Sequence, residues 1–96
     1  MIFSVIRHDK PNSFGLRQSV RPKHLVYLEG VMSCIKSGGA LLDGNGQQDG
    51  SILIIDVADR TAAEDFAASD PFVEAGLFAS THISAFQPVF LDGARI

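Results

Sequence analysis

Ser51-Ile52-Leu53-Ile54-Ile55-Asp56-Val57-Ala58 reads as a β-strand in which Ile52 and Ile54 fall on one face and Leu53, Ile55 and Val57 on the other. Both faces of such a strand require cover. The same holds for Ile2-Phe3-Ser4-Val5-Ile6, an apolar run that ends at the polar Arg7-His8-Asp9-Lys10 and therefore reads as a central strand. Upstream of residue 51, Gly44-Asn-Gly-Gln-Gln-Asp-Gly50 is a loop that joins a short strand, Ala40 to Asp43, to the long one as a hairpin. Between the hairpin and the first strand, Lys10-Pro11-Asn12-Ser13 is turn chemistry, with Asn12 or Ser13 placed to cap a helix beginning near Phe14. Pro22 either kinks that helix or restarts it. From His24, the residues Leu25, Leu28, Met32 and Ile35 recur at steps of three and four, which predicts an amphipathic helix stopping at Ser37-Gly38-Gly39. Downstream, Thr61-Ala-Ala-Glu64 matches a capping box for a helix over Ala62 to Ala68. One further turn is expected over Pro71 to Ala75, and a last strand over Ser80 to Phe86.

The resulting order is β-α-β-β-α-β within a single domain, residues 1–96. It predicts an α+β, ferredoxin-like sandwich: an antiparallel sheet with both helices on one face. The other face stays open although its strands are apolar there. Two copies packing sheet against sheet would bury it, so a homodimer is expected.

Composition narrows the function classes. The chain is 46% hydrophobic with net charge −3, and its mean hydropathy is slightly positive. Residues 1–38 hold six Lys or Arg against two acids and residues 39–96 two against nine, +4 against −7. The basic residues form no dense run and are not interleaved with aromatic platforms, which argues against a nucleic-acid partner. No stretch approaches the roughly 18 apolar residues of a membrane span, and Met1 to Arg7 is too short for the apolar region of a signal peptide. The single cysteine, Cys34, excludes an intramolecular disulfide and a four-cysteine zinc site. A soluble, unprocessed, cytoplasmic protein is the expectation.

The residues that suggest chemistry lie in Arg17-Gln-Ser-Val-Arg21-Pro-Lys-His24. Steps of four and three put two guanidiniums and an imidazole on one helix face, able to converge on an anionic or protonatable ligand. Far downstream, Ser69-Asp70-Pro71-Phe72 offers a carboxylate on a stiff, turn-like backbone that could meet His24 after folding. Asp70 before Pro71 is equally a natural helix N-cap, and the two roles are compatible. A carboxylate held by backbone N–H groups stays ionised, which makes it a good partner for an imidazole. His24 is then the general acid or base and Asp70 the group that orients it. Arg21 and Arg17 are candidate anion ligands and His82 a second-tier lining residue, since the first and last strands lie close in this fold. Neither His-x-His nor His-x-x-x-His spacing occurs, so no metal is expected, and Ser19 and Ser69 lack a Gly-x-Ser-x-Gly setting. Cys34 reads as a small core residue, and Gly44-Asn-Gly as a hairpin loop rather than a phosphate cradle.

Three further motifs carry a resemblance: Arg-x-x-His-Leu at Arg21 to Leu25, Asp70-Pro-Phe-Val-Glu-Ala-Gly-Leu-Phe78, and Ile83-x-x-Phe86-x-Pro88-Val89-Phe90. In these the chain resembles the YciI-like (YCII-related) proteins across nearly its whole length. The resemblance implies a ferredoxin-like unit that dimerises into an α/β barrel, with His24 and Asp70 as the site. It also implies kinship with a branch containing a dehydrochlorinase that acts on a chlorinated hydroquinone. Two function classes are expected: a cofactor-free enzyme transferring a proton on a small aromatic or carbonyl metabolite by isomerisation, elimination or dehydrohalogenation, or a non-catalytic module holding a small anionic ligand. The 44–50 loop and the tail Leu91 to Ile96 carry no family signature.

Overall fold

In the computed structural model, which describes residues 1–96, the strands order themselves as β2-β3-β1-β4 with every neighbouring pair antiparallel. These are β1 (Ile2–Asp9), β2 (Ile35–Leu42), β3 (Gln48–Asp56) and β4 (Phe78–Ala85), joined by α1 (Phe14–Gly30), α2 (Arg60–Ala68) and a short α3 (Pro71–Glu74). This is the ferredoxin-like order, and β1 lies between β3 and β4. Alternation along β1 buries Phe3, Val5 and Arg7 while Ile2, Ser4 and Ile6 remain partly exposed. Phe3 and Val5 meet Ile55 and Leu53 of β3 and Ala63, Phe66 and Ala67 of α2 in one core. The alanines let α2 approach the sheet closely. Register places Ile6 beside Ile52 and His82, and Ser4 beside Ile54 and Ser84, on the face that no helix covers. No helix is long and apolar enough to cross a membrane.

Element ends differ from the sequence expectation: β1 runs on to Asp9, β2 starts at Ile35 rather than Ala40, β3 at Gln48 rather than Ser51 and β4 at Phe78 rather than Ser80, because strand pairing extends into the polar and glycine-rich flanks. α1 runs unbroken through Pro22, which sits exposed on its outer side, and it ends at Gly30 instead of reaching Ile35. A single 3-10 turn, Met32–Cys34, follows, and Ile35 opens β2. The apolar spacing persists beyond the helix because Met32 and Ile35 still face the sheet–helix space, while pairing of residues 35–42 with β3 takes over the backbone. Gly38 is a strand residue, not a helix stop. A Cβ there would lie 2.4 Å from Cδ2 of Leu53, so the glycine makes room for that leucine. The capping box at Thr61 is likewise replaced: Asp59 caps α2, accepting the Ala62 amide at 2.9 Å.

The hairpin turn is built by Asp43, whose carboxylate accepts the amides of Asn45 and Gln47 at 2.8 and 3.0 Å, with Gly46 at φ 78°. Beyond β4, residues 90–95 form a small hairpin of β5 (Phe90–Leu91) and β6 (Ala94–Arg95), exposed throughout.

Candidate functional site

Asp70 joins α2 to α3. Pro71 occupies the first helical position, where its missing N–H costs nothing, and Asp70 Oδ1 accepts the Phe72 amide at 2.9 Å. The carboxylate is buried and meets two further partners. Nη2 of Arg7 donates to Oδ2 at 2.9 Å, and Nδ1 of His24 lies 2.9 and 3.0 Å from the two oxygens. Arg7 and Asp70 are both completely enclosed, whereas the His24 side chain keeps 14% of its surface. The dyad expected from the sequence is therefore within hydrogen-bonding distance, and α1 presents its imidazole from one side while β1 presents Arg7 from the other.

Arg7 is the residue that sequence reasoning missed. The one partial signal is that Arg7 keeps the period-2 phase of Phe3 and Val5, the buried face of β1, although it opens a polar run. Nη1 also donates to the Ala67 carbonyl at 3.0 Å, and the guanidinium sits 4.5 Å from the Phe78 ring centroid, while Nε has no partner. Phe72 then supplies a platform. The His24 ring stacks on it at 4.2 Å with 24° between planes, Phe78 meets its edge at 5.9 Å, and the Arg17 guanidinium lies 5.0 Å from its centroid. Across the helices, the Tyr27 hydroxyl donates to the Phe66 carbonyl at 2.7 Å, tying α1 to α2.

Burial works to raise the Asp70 carboxyl, but hydrogen bonds from His24 and the Phe72 amide and the charges of His24 and Arg7 outweigh it and hold the group below the ordinary carboxylate value. Burial lowers the Arg7 guanidinium while Asp70 supports its charge; an arginine stays charged in either case. An ionised carboxylate can only accept, so the Nδ1 that faces it carries a proton. Nε2 makes no hydrogen bond within the protein. The arrangement offers a fixed tautomer with one basic nitrogen available.

His24 lines a pocket of about 360 Å³ between α1 and strands β2 and β3. Leu25, Leu28, Met32, Ile35 and Leu53 supply its apolar wall, Phe72 its base, Arg17 and Arg21 its positive charge and Glu29 a single carboxylate. Arg17 is buried and bidentate to Asp9, with Nε and Nη2 donating at 2.7 and 2.9 Å. Arg21 is exposed and forms no ion pair. His82, expected among the lining residues, is not brought to this pocket. Val5 and Ile83 share the covered face, so His82, paired with Ile6, stands on the opposite one. His, Cys, Asp and Glu side chains form no group of three or more able to hold a metal.

A domain model described as YCII-related matches residues 1–87. The chain is 33% identical over 98 residues to an uncharacterized protein of Haemophilus influenzae, covering 94% of this chain and all of that one. It is 30% identical over 101 residues to the protein YciI of Escherichia coli, again with 94% and 100% coverage. Among solved structures it resembles 5-chloro-2-hydroxyhydroquinone dehydrochlorinase from Burkholderia phenoliruptrix, crystallised with 2,5-dihydroxybenzoquinone, with TM-score 0.86, 33% identity and coverage of 91% and 94%. An antibiotic biosynthesis monooxygenase, 14% identical with TM-score 0.54 over 93% and 99% of the two chains, shares the fold alone. With a domain match over most of its length and full-length relatives at this identity, the chain belongs to the YCII-related family.

Proposed function

We propose that this protein is a small acid–base enzyme that needs no cofactor and moves a proton on a compact oxygenated ring or carbonyl compound, with His24 as the proton carrier. One observation carries the reading: the imidazole of His24 has one nitrogen against a buried, ionised carboxylate and the other without a protein partner, at a pocket wall. Neutral His24 takes a proton from a ring hydroxyl, or from a carbon beside a carbonyl, at Nε2. The imidazolium so formed faces Asp70, which stays ionised because Arg7 and the Phe72 amide hold it. The electron pair left on the substrate is reprotonated at another carbon, giving isomerisation; where that carbon bears the halogen, the ring becomes a keto tautomer, and loss of a second proton from the hydroxyl across the ring then pushes electrons onto that carbon and expels halide, giving elimination with net loss of one proton and one halide. Similarity to the chlorohydroquinone dehydrochlorinase supports elimination. The partly exposed isoleucines on the uncovered sheet face, Ile2, Ile6, Ile52 and Ile54, support a homodimer in which two such faces meet, and a single unpaired cysteine, Cys34, fits a reducing cytoplasm.

The test is chloride release from 5-chloro-2-hydroxyhydroquinone together with binding of 2,5-dihydroxybenzoquinone. His24→Ala should lower turnover by about 10²- to 10⁴-fold, the usual contribution of a positioned acid–base group, while the fold persists. Equal rates for variant and parent would remove the assignment. A second reading, a non-catalytic module for a small anion, is favoured by the fact that Asp70 also caps α3 and secures Arg7. It predicts quinone binding in the parent protein with no turnover of any halogenated ring.

A further inference from the structure

A second cavity of about 500 Å³ adjoins the His24 pocket and shares Arg21 and Gln48 with it. Its character is different. Gln18, from the same face of α1, and Asn45, Gln47 and Gln48, from the β2–β3 hairpin, surround it with amide groups, and no carboxylate lines it. The acids of the hairpin lie elsewhere: Asp43 is engaged by the Asn45 and Gln47 amides, and Asp49 lines a neighbouring depression with Asp9 and Lys10. Three arginines stand near the site, and two are committed. Arg7 is held by Asp70 and Arg17 by Asp9, which leaves Arg21, at the junction of the two cavities, with its charge unmatched.

From this arrangement we infer that the ligand has two parts, an apolar or aromatic ring in the His24 pocket and a carboxylate that Arg21 and the neighbouring amides receive in the adjoining cleft. The inference rests on the proposed reading of the His24 pocket as a ligand site and adds the substrate class. A carboxylate matches better than a phosphate. One guanidinium fork with neutral amide donors suits a planar monoanion, whereas a phosphate dianion calls for more positive charge than a single arginine supplies. Residues three apart on a helix have Cβ atoms about 5–6 Å apart, so a small ligand with a short link between ring and carboxylate can meet both His24 and Arg21.

Calorimetry under exclusion of oxygen with three probes, 2,5-dihydroxyphenylacetate, its methyl ester and hydroquinone, tests this. The full-length protein should bind the carboxylate about tenfold more tightly than the ester or the unsubstituted ring, the size of effect expected for a charge-assisted hydrogen bond, and the margin should shrink with added salt. Arg21→Gln, at an exposed position that leaves the fold intact, should erase the preference, and Arg21→Lys should restore part of it. Equal binding of carboxylate and ester, persistence of the preference in Arg21→Gln, or failure of all three probes to bind each overturns the inference. His24→Ala separates the two proposals: it should keep the carboxylate preference while lowering turnover by about 10²- to 10⁴-fold. A parent protein that shows the preference yet turns over no substrate sinks the enzyme reading and leaves the carboxylate site standing.

Discussion

The two faces of strand β1 carry similar sequence and lead opposite lives. On one, Phe3 and Val5 sit in the core, Arg7 is closed off against Asp70 and the neighbouring buried Arg17 is held by Asp9. On the other, Ile2, Ile6 and His8 share a surface with Ile52, Ile54 and His82, where no helix arrives and the one ion pair, between Asp56 and the N-terminal amine, lies at the edge. The covered face is preorganised, because a buried charge is tolerated only when its partners are fixed, and fixed partners are what an acid–base site requires. The open face is apolar and uncovered. Under the proposed function, a mutation should act on chemistry and stability together on the first face, and on association on the second.

The largest expected effect comes from breaking the covered face. Arg7→Met leaves Asp70 buried without its one permanently charged partner, which should cost about 3–5 kcal/mol in chemical denaturation and disable His24 with it. On the open face, Ile52→Arg combined with Ile54→Arg should convert a dimer to a monomer by analytical ultracentrifugation while leaving far-ultraviolet circular dichroism unchanged. Loss of the fold in that double variant would instead mean that the face supports the subunit itself. Acid sharpens the contrast in a direction set by Asp70. Its folded pKa lies below the unfolded value of about 3.9, so the stability it contributes is complete above that value and is lost as pH falls through the folded pKa. Asp70→Asn should be less stable than the parent at pH 7, and the gap should narrow as pH is lowered from about 4 toward 2. The smallest effect belongs to Asp59→Ala, far from both faces' chemistry, where loss of the α2 cap should cost about 1 kcal/mol and leave quinone binding unchanged.

Much of this is legible in the sequence, and the reasons are local. A strand apolar on both sides, as in residues 52–57, already implies helices on one side and something else on the other. His24 and Asp70 stand out because one follows arginines at helical spacing and the other precedes Pro71. The end of α1 is not legible in the same way. Leu28, Met32 and Ile35 keep a helical rhythm across a 3-10 turn and into a strand, and the glycines that look like a stop, Gly38 and Gly39, belong to β2, where Gly38 exists for Leu53. Arg7 is hidden for another reason. It begins a polar run, Arg7 to Lys10, that reads as a strand's solvated end, and only the three-dimensional arrival of Asp70 from 63 residues away makes it interior. Arg17 is claimed by Asp9 for the same tertiary reason, while Arg21, four residues on, stays free.

Phe72 belongs to the site twice over, through an amide that Asp70 accepts and a ring on which His24 rests. Its amide proton can exchange with solvent deuterium only when the bond to Asp70 opens. The same opening removes the carboxylate's backbone anchor and loosens the imidazole's platform. Exchange at this one amide is thus a clock for the whole assembly, its protection reporting the fraction of time the site is intact without any substrate in hand.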